Sequence, residues 1–113
     1  MKLTVLFAAV LNGVIAASAV FSERAAAEVS GGEQLMEKAG CISCHRVDQK
    51  LIGPSFKSVG AKYKADKDAP AVLFDKVREG GEGVWGDIPM QPNGPSKVSD
   101  ENLKLVIDWI LKL

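Results

Sequence analysis

Both cysteines of the chain and its only histidine fall within five positions, Cys41-Ile42-Ser43-Cys44-His45. No other feature restricts what the chain can become as strongly, because one object must satisfy three distinctive side chains at once. Thiols three residues apart on a helical turn face the same side. The imidazole that follows can turn over whatever the thiols hold. A structural zinc ion would want four ligands, and two Cys and one His fall short. A redox dithiol of the thioredoxin kind should accompany a βαβ pattern, which is not seen. A plain disulfide accounts for the cysteines and leaves His45 unexplained. The spacing is the attachment signature for c-type haem: Cys41 and Cys44 add to the two vinyl groups as thioethers, and His45 binds the iron. Because the bonds are covalent, the cofactor cannot leave.

The N-terminus reads as a targeting segment. Lys2 gives a basic start, an apolar run extends from Leu3 to Phe21, and Ala25-Ala26-Ala27 follows polar Ser22, Glu23 and Arg24. This order is that of a secretory signal peptide, with cleavage expected after Ala27; Ala17-Ser18-Ala19 is a second possible site. The rival reading is an uncleaved anchor, but the run is only about as long as the roughly 20 residues a span requires, and Asn12 and Gly13 interrupt it. The expected domains are therefore a signal peptide, 1–27, and a single small domain, 28–113, of 86 residues. So short a chain buries a limited core and often depends on a disulfide, a metal or a cofactor. The whole chain has 14 basic and 14 acidic residues; without Lys2, Arg24 and Glu23, 12 and 13 remain, a net −1. That balance gives no reason to expect a nucleic-acid partner. Export points to the periplasm, an oxidising compartment.

After residue 27 the chain shows four short helical patterns and no alternating apolar run, so the expected fold class is all-α. Ser30 and Glu33 have capping-box spacing ahead of "EQLMEKA", with Gly40 as the stop. Pro54-Ser55 opens a second pattern in which Phe56, Val59 and Tyr63 recur. Asp68 is placed to cap a third; Pro70 suits its first turn, Leu73, Phe74 and Val77 share a face, and Gly80 ends it. Ser99 is placed to cap the fourth, with a stripe of Leu103, Val106, Ile107, Ile110 and Leu111. Residues 80–98 hold too many Gly and Pro for a helix, and an irregular segment of this length in a small domain is usually functional or disordered. Trp85, Ile88 and Met90 argue against disorder. Met90 lies between Pro89 and Gln91-Pro92, where the prolines stiffen the chain and a thioether can be held over the iron at little ordering cost. On this argument alone, Met90 is either the sixth iron ligand or an ordinary core filler. Met36 belongs to the first helix.

"CISCH", "LIGPSF" and "GVWGDIPMQPN", in this order and at similar spacing, resemble the small bacterial class I cytochromes c of the cytochrome c-551 type. The resemblance spans essentially all of residues 28–113. It implies a cytochrome c fold of about four short helices packed around one covalently bound haem c. It implies His45 and Met90 as axial ligands, the Pro54 carbonyl as the partner that orients His45, and Asn93 as a hydrogen-bond donor to the methionine sulfur. Trp85 would bond a haem propionate; its plain alternative is a buried aromatic with a satisfied N–H. Lys76 stands where the family has an arginine near the propionates, with Arg78 close by, and the two are not interchangeable. "GPSK", residues 94–97, looks longer than the common pattern.

The function this implies is periplasmic one-electron transfer by Fe(II)/Fe(III) cycling, with no catalytic residues and no stable membrane insertion after cleavage. A monomer is expected. The partners are redox proteins such as a nitrite reductase, a terminal oxidase or a quinol-oxidising complex, among which the sequence does not choose. Lys50, Lys57, Lys62, Lys64 and Lys67 form a basic stretch that would suit an acidic partner or would equally be a solvated face. Two rival functions are a haem enzyme or gas sensor with a labile Met90, and a haem module of a membrane-bound oxidoreductase.

Overall fold

The computed structural model describes residues 31–113; the expected signal segment 1–27 and the cap at Ser30 lie outside the described residues. Helix α1 occupies 31–38. Gly40 then takes a left-handed conformation (φ 72°), which turns the chain into a short 3-10 turn, Cys41–Ser43. Helices α2 (Phe56–Tyr63), α3 (Ala69–Glu79) and α4 (Asp100–Leu111) follow. No strand occurs among the described residues, only an isolated antiparallel bridge between Gly81 and Met90. The described residues are all-α, the class expected from the four helical patterns.

The expected cap at Ser99 forms as a side-chain hydrogen bond, and Ser55, where the second pattern opens, makes one too. Ser55 accepts from the Ser58 amide and Ser99 from the Asn102 amide. Both serines have the extended backbone that lets an N-cap oxygen reach into the first turn. Asp68 differs. It occupies the N-cap position of α3 but is already helical (φ −93°, ψ −2°), and its carboxylate makes no capping bond. The turn before α3 is instead closed by Asp66, whose Oδ1 accepts from the Asp68 amide at 2.8 Å. Pro70 sits in the first turn, as expected.

The core has two parts, and α4 is common to both. Val106, Trp109 and Ile110 pack with Met36 of α1 and Phe56 of α2. Leu103 and Ile107 pack with Ala39, Leu73 of α3 and Val98. Trp109 was not in the expected stripe, yet it is buried, and a Cβ on Gly32 would collide with its side chain. The stripe missed it because its face becomes interior only once α1 crosses α4. Gly60 of α2 meets α4 so closely that a Cβ there would strike the Ile110 carbonyl.

Candidate functional site

The turn that carries the cysteines is closed by its own backbone. The amides of Cys44 and His45 both donate to the Cys41 carbonyl, at 3.2 and 3.0 Å. Arg46 adds Nη1 contacts to the Ile42 and His45 carbonyls. The two cysteines are half-buried, and no disulfide joins them. Burial pushes the Cys41 thiol up, and the charge of Lys97 opposes the shift. Lys97 is brought there by 94–98, where the amides of Lys97 and Val98 both donate to the Gly94 carbonyl.

His45 is held from two sides. Its Nδ1 donates to the Pro54 carbonyl at 2.8 Å, and its ring stacks on Phe56 with centroids 5.2 Å apart. The Gly53 amide donates to the Cys44 carbonyl at 2.8 Å and so ties the Pro54 segment to the cysteine turn. With Nδ1 committed as a donor, Nε2 is left with its lone pair, the arrangement a metal-binding histidine requires.

Met90 is fixed by its backbone. Its amide donates to the Gly81 carbonyl at 2.9 Å, and its carbonyl accepts from the Gly81 amide at 3.0 Å. Gly80, at the end of α3 (φ 71°), permits this approach, since any Cβ there would hit the Met90 carbonyl. Met36 instead fills the core.

The remaining expected residues are arranged less simply. Asn93 is buried, and its Nδ2 donates one hydrogen to the Gln91 carbonyl at 2.7 Å. The amide NH2 has two hydrogens, so this bond leaves a second donor. Trp85 is not a buried aromatic: it is 40 % exposed, with Lys62 Nζ 5.8 Å from its ring centroid. Arg78 is occupied by the Asn93 carbonyl and by Asp100, whereas Lys76 lines the cavity described next. Within the basic stretch, Lys57 is paired with Asp48 at 2.5 Å.

Cys41, Cys44, His45, Pro54, Trp85, Met90 and Asn93 all line one cavity of about 390 Å³. Its inner wall comes from both halves of the core, including Met36, Phe56, Leu103 and Ile107; Ile52, Val84, Trp85 and Ile88 stand exposed at its rim. Volumes of roughly 300–1,000 Å³ with few polar groups are usual for a bound prosthetic group. Two cysteine sulfurs, an imidazole with Nε2 available and a thioether in a largely apolar cavity suit a thioether-linked haem whose iron would take one nitrogen and one sulfur.

Comparison with known proteins agrees with this chemistry. The cytochrome c family model matches residues 29–113. Cytochrome c-552 of Nitrosomonas europaea is 43% identical over 101 residues, covering 89% of this chain and 93% of the relative. Cytochrome c-551 of Pseudomonas denitrificans is 44% identical over 84 residues, covering 74% and 99%. The crystal structure of the Nitrosomonas europaea cytochrome superposes with a TM-score of 0.66 at 45% identity, covering 71% of this chain and 96% of that one.

Proposed function

The chain belongs to the cytochrome c family, among its small class I monohaem members, and on that premise we propose that it is a periplasmic one-electron carrier with His45 and Met90 as axial ligands. That it is an electron-transfer protein with one covalently bound haem c follows from the family. The observation that carries the rest is that a single cavity gathers both thiols, His45 and Met90.

Cys41 and Cys44 would hold the haem through thioethers. Bound haem supplies one iron that alternates between Fe(III) and Fe(II). His45 would bind it through Nε2, its orientation set by Pro54 and Phe56. The Met90 thioether is soft and neutral, which favours Fe(II) and raises the potential. With His45 and Met90 both bound to the iron, no coordination position would remain for a substrate, which supports carriage of electrons rather than catalysis. Lys76 is the better placed cation for a propionate, because Arg78 already has two acceptors. Trp85 would serve the same group from the rim, and Asn93 would shape the wall beside Met90.

Residues 1–27 would direct export and be removed; the family match begins just beyond them, at residue 29. Among the described residues no helix is long and apolar enough to cross a membrane. The exposed apolar rim, with Lys62 over Trp85, suits a brief encounter between a monomer and a redox protein such as a nitrite reductase, a terminal oxidase or a quinol-oxidising complex.

Two substitutions test the ligand assignment. Met90→Ala is expected to lower the potential, abolish the methionine–iron charge-transfer band and admit cyanide and CO. Met36→Leu, a volume-conserving change costing under ~1.5 kcal/mol, should do none of these. A Met90→Ala protein with the wild-type band and potential would show that another group holds the iron.

A further inference from the structure

Arg78, in the last turn of α3, has a side chain only 14% exposed. Its Nη1 donates to the Asn93 carbonyl at 2.8 Å and its Nη2 to Asp100 Oδ1 at 2.6 Å. The guanidinium also lies over Phe74, 5.0 Å from the ring centroid. Asn93 is three residues beyond Met90, and its amide donates to the carbonyl of Val77, next to Arg78 (2.9 Å). Both backbone groups of Asn93 are thus tied to consecutive residues of α3, while both backbone groups of Met90 are tied to Gly81 just past its end. Of these four ties, three are backbone to backbone and survive any side-chain change. Arg78 supplies the fourth.

We propose that Arg78 is a positioning residue that latches the Met90–Asn93 segment to α3 and thereby limits how often Met90 leaves the iron. This rests on the reading of Met90 as axial ligand. A charge-assisted bond to a carbonyl is stronger than a neutral one, and the acceptor residue is 8% exposed, so little water is available to replace the guanidinium. The contact to Asp100 carries less weight, because that carboxylate is 65% exposed. Lysine is a poor substitute, because its compact ammonium lacks the planar fork that spans both acceptors while lying over Phe74.

The test uses the haem-loaded ferric protein and cyanide, which enters only when Met90 is displaced. Arg78→Gln and Arg78→Lys should each speed cyanide association by about tenfold or more, the scale of one lost charge-assisted bond, and weaken the charge-transfer band. Asp100→Asn should change the rate by less than about threefold. Leu111→Ala, packed against the core and outside the cavity wall, should lower the thermal midpoint yet leave the cyanide rate near that of the wild type. A wild-type rate in Arg78→Gln, alongside rapid binding in Met90→Ala, would overturn the latch and leave the ligand assignment standing. Equal acceleration in Leu111→Ala would reduce the effect to global stability and likewise overturn it. If Met90→Ala itself keeps the wild-type band and rate, the ligand assignment fails and the latch with it.

Discussion

A Cβ at Gly53 would sit 2.5 Å from His45 Cε1 and 2.8 Å from Nδ1, so at this residue the absence of a side chain is what lets the imidazole reach Pro54. Gly53→Ala should therefore tilt the ring, weaken the Nδ1 bond to Pro54 and cost about 1–3 kcal/mol by overpacking. Gly94→Ala, with nothing within 4 Å of its added methyl, should stay within about 0.5 kcal/mol of the wild type. Thermal unfolding and reduction potential of the two haem-loaded variants check this, and equal behaviour would refute it. At the cysteines, acid–acetone should extract no haem from the intact protein. Cys44→Ala should keep at most one thioether, seen as a shifted pyridine haemochrome band. Free haem recovered from the wild type would sink the double attachment.

Among the helices, stability at each N-terminus should follow the side-chain bond actually made. Ser99 accepts one amide, so Ser99→Ala should cost about 1 kcal/mol. Ser55 is buried, accepts the Ser58 amide and also shares a 2.8 Å bond with the Ser58 hydroxyl, so Ser55→Ala should cost more, up to about 2 kcal/mol. Asp68→Ala should be nearly silent, within about 0.5 kcal/mol, because its carboxylate caps nothing. In a domain of this size each kcal/mol lowers the melting midpoint by about 4–8 °C, so one set of melting curves ranks the three. An Asp68→Ala loss as large as that of Ser99→Ala would contradict the ordering. α2 and α4 make a related demand at Gly60, where an added methyl would push the helices apart against the Ile110 carbonyl.

For the molecule as a whole, the cavity is large relative to the core that surrounds it. Without haem its apolar walls would face water instead of the prosthetic group, a loss that a small domain, with a total stability of only about 5–15 kcal/mol, is poorly placed to bear. Both halves of the core also face the cavity: Met36 and Phe56 on one side of α4, Leu73 and Leu103 on the other. The haem-free chain should therefore be largely unfolded by circular dichroism, with no cooperative thermal transition. A sharp transition without haem would mean that α4 and its neighbours hold together on their own.

The cysteine–histidine cluster, the glycine stops at Gly40 and Gly80, the start of α2 at Pro54-Ser55, the cap at Ser99 and the stripe on α4 were legible in the sequence. Each rests on chemistry among residues one to four apart, or on a periodicity carried by a single helix. Only the tertiary structure decided that Trp109 is interior and Trp85 is not, that Asn93 turns its amide to Gln91, and that Arg78 is spent while Lys76 faces the cavity. Arg78 finds its acceptors 15 and 22 residues away in the chain. Such partners come within reach only after α3, α4 and the Met90 segment have packed, so no local pattern records the choice.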